Sequence, residues 1–318
     1  MHLIRSLIIF SLVISLSIYA PYKAFFDHVP QNKNFVINIE RGDTVYEVFS
    51  LFLPLNFANK LFLKIYSLRN DINLIQYGEY QIGNKSILDI ISLIKSGETI
   101  THKLKINEGL NIYDIENLIN DSYLINDCSF LKCINTNLSF REGILYPDTY
   151  FYKKGMSASE ILNESHTRLE NYLNNKLKNK STYTSLNKEE VLILASIIEK
   201  EAGNDDEKSK IASVFLKRLS IGMRLQADPT IIYGLLPNFD GDIKKSDILD
   251  KNNKYNTYMI SGLPPTPISI SSISSINASI DSLPGDYLFF VADSKTSHYF
   301  SKTYEEHLNK INELGLNK

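Results

Sequence analysis

Hydrophobic positions along the chain change their period several times, and each change marks an element. Residues 3–20 are almost wholly apolar, with no charge between Arg5 and Lys23, close to the minimum length of a bilayer-spanning helix. Residues 35–39 alternate and are β-rich, which predicts a strand. Gly42-Asp43-Thr44 then turns the chain, with Asp43 or Thr44 as helix cap. Helical spacing follows over 45–53 and stops at Pro54. A second helix covers 57–68, a return strand 77–82, and a helix capped by Ser86 runs to Ile94 and closes at Ser96-Gly97.

Further on, 101–106 reads as a strand and 112–119 as a helix, while 120–140 is polar and loop-rich. Glu142-Gly143-Ile144-Leu145-Tyr146-Pro147-Asp148-Thr149-Tyr150 packs a glycine turn, a proline and several polar groups into one irregular segment before a strand at 150–152. Residues 157–177 form a long amphipathic helix with Ile161, Leu162, Leu169, Leu173 and Leu177 inward, and the polar run 179–185 marks an internal boundary. Asn187 with Glu190 predicts a capping box at the start of an unusually apolar helix ending in Glu199-Lys200-Glu201. Then come a helix over 210–219, a glycine-started loop with an Asp228-Pro229 turn, a Tyr- and Pro-rich loop over 255–267, strands over 287–293 and 298–301, and a closing helix over 304–314. The fold class predicted is α+β. The pattern predicts a transmembrane anchor over 1–22, a small α/β subdomain over 23–100 and a larger α+β domain over 101–318.

On a helical wheel at about 100° per residue, Val191, Leu194, Ala195, Ile198 and Ala202 share one face. Glu201 falls beside Leu194, between it and Ile197, whereas Glu199 and Lys200 fall toward Ser196 on the more polar side. Glu201 is therefore the carboxylate pressed against apolar surface, at the negative end of the helix dipole. Both effects raise its pKa, as a general acid requires. The plain alternative is a solvated residue at a frayed helix end.

Composition adds exclusions. The 34 basic and 36 acidic side chains leave a net charge of −2, which provides no basic footprint for nucleic acid. Cys128 and Cys133 are too few for an ordinary zinc site, and a local disulfide and two free thiols both fit them. A metal site is therefore not expected. Arg5 ahead of the apolar run predicts a cytoplasmic N-terminus and an exported body; Ile18-Tyr19-Ala20 matches a signal-peptidase site poorly, which favours an uncleaved anchor over a signal peptide.

The strand, Gly-Asp-Thr, helix, helix, strand order of the subdomain resembles the glycan-binding LysM module, with a ligand-free spacer as the other reading. In the second half, Ser196-Ile197-Ile198-Glu199-Lys200-Glu201, Val214-Phe215-Leu216-Lys217-Arg218-Leu219, Gly222-Met223-Arg224-Leu225-Gln226, Asp228-Pro229-Thr230-Ile231-Ile232-Tyr233-Gly234, Tyr255-Asn256-Thr257-Tyr258, Gly262-Leu263-Pro264-Pro265 and the strand at 287–293 occur in an order that resembles the YceG-like endolytic murein transglycosylases. Tyr146-Pro147-Asp148-Thr149-Tyr150 and the anchor agree with that resemblance. The chain departs from the family pattern at residues 269–275, where relatives often show Asn-Pro-Gly.

The resemblance implies Glu201 as the catalytic acid, and substrate contacts from Arg218, Gln226, Asp228, Thr230, Tyr233, Tyr255, Asn256, Tyr258, Pro264 and His298, although a lone His298 also fits a structural role. It implies non-hydrolytic cleavage between N-acetylmuramic acid and N-acetylglucosamine within nascent peptidoglycan strands, with no metal or organic cofactor, leaving 1,6-anhydro ends and terminating glycan elongation. The partners implied are peptidoglycan strands, the lipid bilayer and membrane-bound peptidoglycan synthases, with the catalytic domain on the outer side of the cell membrane. Two other functions stay open: a muramidase-type hydrolase in which Asp228 or Glu199 positions water, and a non-enzymatic wall-binding scaffold.

Overall fold

Local capping chemistry sets most helix starts in the first half of the chain. The computed structural model describes residues 2–31, 33–70, 75–178, 186–294 and 296–316, so the boundary expected at 179–185 lies outside the described residues. The chain divides into two units, residues 1–102 with 151–155, and residues 103–150 with 156–318.

The first unit begins with helix α1 (His2–Asp27), then β1 (Val36–Ile39), α2 (Val45–Ser50), α3 (Phe57–Asn70), β2 (Gly78–Gln81) and α4 (Ile87–Ser96). Thr44 caps α2 and Ser86 caps α4, each in a reciprocal capping box with Glu47 and Asp89. Gly97 closes α4 in the left-handed conformation, φ 70°, which glycine adopts without strain. α2 ends at Ser50, earlier than its apolar spacing predicts, because Phe52 and Leu53 turn into the core as a non-helical bend. β1 and β2 pair antiparallel, Ile37 opposite Tyr80, and the core beneath them gathers Ile37, Ile39, Val48, Phe49, Leu63, Tyr80, Ile82 and Ile90. Among the described residues no helix is long and apolar enough to cross a membrane.

The strand β3 (His102–Ile106) is followed by α5 (Ile112–Asn120), β4 (Asp148–Tyr152), α6 (Ala158–Lys178), α7 (Lys188–Glu201), α8 (Lys208–Ser220), α9 (Asp228–Leu235), α10 (Lys245–Ile248), α11 (Ile273–Asp281), the antiparallel pair β5 (Phe289–Ala292) and β6 (His298–Ser301), and α12 (Tyr304–Glu313). α7 is the central element of the second unit. Asn187 and Glu190 form its capping box, every residue from Val191 to Ile198 is buried, and α8, α9 and α11 pack around it.

Three local expectations change. Asp228-Pro229 opens α9 instead of making a turn, because proline in the first helical turn loses no hydrogen bond. Within the segment where the chain departs from the family pattern, Ser272 caps the unanticipated α11, and the buried Ile276 and Ile280 hold that helix against the core. Leu177 is only half-buried near the end of α6, whereas Ile161, Leu162, Leu169 and Leu173 are buried. Cys128 and Cys133 form a disulfide, which suits an oxidising compartment.

Candidate active site

Glu201 ends α7, and the chain must leave that helix through a tight passage. A Cβ on Gly203 would lie 2.8–2.9 Å from the Thr296 backbone, so only glycine lets α7 close onto the β5–β6 turn. The Asn204 side-chain amide donates to the Thr296 carbonyl across the same contact. Glu201 thereby opens into a cleft of about 410 Å³, lined also by Arg218, Gln226, Asp228, Tyr258, the Phe289–Ala292 strand, His298, Tyr304 and His307.

The carboxyl of Glu201 has no hydrogen-bond partner among the described residues. Burial pushes its pKa up to about 8, the nearby Asp228 charge adds to the rise, and Arg218 opposes it. Glu201 therefore holds its proton at neutral pH and loses it only as the pH climbs past about 8.

Arg218 is buried, and backbone carbonyls fix it: Nε donates to Leu288 at 2.7 Å and Nη1 to Leu225 at 2.5 Å. This links α8 to the entry of β5 and to the 222–227 loop. In that loop Gln226 adopts φ 52°, a left-handed conformation unusual for a side chain with a Cβ. Its N–H donates to the Thr257 carbonyl, and the next N–H, of Ala227, donates to Thr257 Oγ1, so neighbouring groups hold the strained backbone in place. Asp228 starts α9 and accepts a 2.6 Å hydrogen bond from the Tyr258 hydroxyl. Burial and the Asp228 charge raise the Tyr258 pKa, so its phenol remains a donor. His298 is clamped twice by Glu207, whose carboxylate accepts the His298 backbone N–H at 2.8 Å and bonds Nδ1 at 2.9 Å. The clamp leaves Nε2 as the ring's other polar atom on the cleft wall.

The cleft thus brings together Glu201, Arg218, Gln226, Asp228, Tyr258 and His298. The other expected contact residues lie outside its lining. Thr230 is fully buried and bonds the Ala227 carbonyl and Thr257. Asn256 is fully buried, and its amide donates to the carbonyls of Asp247, Ile248 and Asp250. Tyr255 bonds Thr266, and its ring meets that of Tyr233 edge-on at 4.8 Å. Pro264 is buried in the loop that follows. Tyr233 donates at 2.8 Å to Glu142, which also accepts N–H bonds from Ile112 and Gly143. Burial pushes the Glu142 pKa up to about 7. Four hydrogen-bonding side chains, Thr230, Tyr233, Tyr255 and Asn256, therefore brace segments outside the cleft lining.

Glu199 keeps its wheel position, but that side of the helix is not open to solvent. The side of α7 that it shares with Ser196 is covered by the 267–275 segment. There Ser196 Oγ accepts the Ile268 N–H, and Glu199 accepts bonds from Ser272, Ser275 and Lys208. Burial would raise the Glu199 pKa, but these bonds outweigh it and hold the group below the usual carboxylate range. Glu199 is an ionised structural anchor outside the cleft lining, which removes it as a water-positioning group. Phe289, Tyr304 and His307 line the cleft without having been anticipated. The i, i+3 spacing of Tyr304 and His307 on one helix was the available signal.

The sequence model of the YceG-like family matches residues 37–313. The chain belongs to that family. Relatives named endolytic murein transglycosylase include one from Bacillus subtilis, 36% identical over 54% of this chain and 47% of its own length. Another, from Streptococcus pneumoniae, is 31% identical over 52% of this chain and 31% of its own length. The matched region thus spans about half or less of these relatives. The crystal structure of a YceG-like protein from Listeria monocytogenes shares the fold at TM-score 0.56 and 28% identity, covering 86% of this chain and 98% of that one.

Proposed function

We propose that this YceG-like chain is an endolytic lytic transglycosylase that cuts peptidoglycan strands from the outer face of the cell membrane. The observation that carries this reading is Glu201, a carboxyl that keeps its proton at neutral pH in an open cleft otherwise walled largely by aromatic and uncharged groups. The relatives' name supplies the polymer. Glu201 protonates the glycosidic oxygen between N-acetylmuramic acid and N-acetylglucosamine, and the C1–oxygen bond breaks. The muramyl 6-hydroxyl attacks C1, and its proton returns to Glu201, closing a 1,6-anhydro ring without consuming water. The nucleophile belongs to the substrate and is held close, so one carboxyl suffices where ordinary glycosidases use two.

Around that acid, Arg218 supplies positive charge for the moment when Glu201 is ionised, and Gln226, Tyr258 and His298 offer polar contacts to sugar hydroxyl and acetamido groups. Tyr304 is exposed on the cleft wall and gives a face on which a pyranose ring stacks. Thr230, Tyr233, Tyr255, Asn256 and Pro264 act indirectly, by fixing α9 and the 255–267 loop.

The apolar start of α1 anchors the chain. Its described residues Val13, Leu16, Ile18 and Tyr19 are 55–60% exposed, which is costly for a helix in water and natural for one in lipid. The β1–α2–α3–β2 unit serves as a LysM-like glycan holder beside the membrane, and membrane-bound peptidoglycan synthases are the expected source of nascent strands. Digestion of purified glycan strands in labelled water tests the reaction. Transglycosylation yields anhydro ends with no label from water. Reducing ends carrying labelled oxygen would establish a hydrolase, with Asp228 as the water-positioning group.

A further inference from the structure

Residues 51–70 contain Lys60, Lys64 and Arg69 and no acidic residue. Within this segment several large apolar side chains stand exposed: Leu51 at 51%, Phe57 at 85%, Leu61 at 43% and Leu68 at 79%. Phe57, Leu61, Lys64 and Leu68 follow one helical stripe on α3, opposite the buried Leu63 and the half-buried Phe62 and Tyr66. An apolar stripe interrupted only by cations, on a unit with a filled core of its own, is the pattern of a helix that lies in a lipid interface.

The contacts between α1 and α3 give this pattern a direction. Tyr22 and Phe25 meet the ring of Phe62 at 5.6 Å, and Phe26 meets Tyr66 at 4.9 Å. Advancing four residues along α1 therefore advances four along α3, so the two helices run in the same sense where they touch. The N-terminal end of α3 points back toward the apolar start of α1. At about 1.5 Å per residue, Phe57 lies roughly 7 Å nearer that end than Phe62 does. Phe57 thus precedes the Tyr22–Phe62 contact by more than one turn of α3, and Lys60 and Lys64 stand on either side of Phe62. Aromatic and basic residues in that order match a boundary between acyl chains and headgroups.

We propose that the N-terminal end of α3, with the Leu51–Phe57 bend, is a second membrane contact that inserts Phe57 and Leu61 into an anionic lipid surface and sets Lys60 and Lys64 among its headgroups. This rests on the anchor reading of α1. It makes the first unit a collar held against the bilayer instead of a tethered spacer. The charge complement favours anionic lipid over a second copy of this chain, whose matching face would be equally basic.

The sequence contains no Trp, so a single introduced Trp reports one site. The full chain is reconstituted into vesicles of phosphatidylcholine and phosphatidylglycerol carrying shallow brominated acyl chains. Leu16→Trp reports the anchor, and Phe57→Trp, Leu61→Trp and Leu68→Trp report α3. Phe57→Trp should be quenched at least about twofold, Leu61→Trp less and Leu68→Trp least, since Leu68 lies roughly 16 Å farther along the helix axis. Lys60→Glu with Lys64→Glu, or omission of phosphatidylglycerol, should relieve most of the quenching at Phe57→Trp while leaving that at Leu16→Trp. Quenching at Leu16→Trp without quenching at Phe57→Trp overturns the contact and leaves the anchor standing. Loss of quenching at both overturns the anchor and the contact together. Quenching at Phe57→Trp that ignores phosphatidylglycerol overturns the anionic surface.

Discussion

Glu201→Gln should reduce formation of anhydro ends by about a thousandfold while leaving strand binding nearly intact, because it removes a general acid without changing the shape of the cleft. Fold and stability should survive. Wild-type Glu201 has its pKa raised to about 8 in the folded chain. Its favourable contribution to stability is thus fully present below the unfolded carboxyl value, near 4.3, and is lost as the pH rises through about 8. Glu142, raised to about 7, acts in the same direction over a narrower range. Glu201→Gln removes one of these penalties, so its melting temperature at pH 9 should equal or exceed that of wild type. Undiminished anhydro product, measured by mass spectrometry of digested strands, would remove Glu201 from the mechanism. Full complementation of a deletion strain by the inactive variant would favour a scaffold role.

Lys208→Met should destabilise the fold by about 3 kcal/mol, because it strands a buried negative charge. The Lys208 ammonium is buried and bonds Glu199 at 3.2 Å, Asp205 at 2.7 Å, Ser272 Oγ at 2.8 Å and Ser274 Oγ at 3.0 Å. Removing it leaves the Glu199 carboxylate buried and held only by serine hydroxyls and the Ser272 N–H. Glu199 lies two residues before Glu201, so loosening this knot also loosens the end of α7. Urea titration should show the midpoint falling with the slope unchanged. Combining Lys208→Met with Glu199→Gln should recover part of the loss, because the stranded charge is gone. A single-variant loss below about 1 kcal/mol would show that the network does not hold the charge as described.

The caps at Ser86 and Asn187 were legible, and the cap of α2 was narrowed to Asp43 or Thr44, because capping depends on residues within one turn. Helical period put Glu201 beside Leu194 and Ile197, but that pattern alone fits a solvated helix end equally; the motifs downstream and the family resemblance singled the residue out. Glu199 lies on the polar side with Ser196 as the wheel places it, but the serines that cover it lie 73–76 positions away, and a helical wheel cannot show what covers a polar side. The same limit explains the cleft wall. Phe289, Tyr304 and His307 come to Glu201 only through the pairing of β5 with β6 and the return of α12. Thr230, Tyr233, Tyr255 and Asn256 were singled out by their place in the family's motifs, and a motif position suits substrate contact and internal bracing equally. Their burial and hydrogen bonds distinguish the two.

The proposed chemistry turns on the protonation state of one side chain, and carbon NMR titration of selectively labelled glutamate carboxyls, assigned with Glu201→Gln, reads it directly. Glu201 should titrate near pH 8, and Asp228→Asn should move that midpoint downward by removing a neighbouring negative charge. A midpoint near 4.3, unmoved by Asp228→Asn, would mean that Glu201 is a solvated carboxylate at neutral pH and would contradict its role as the acid.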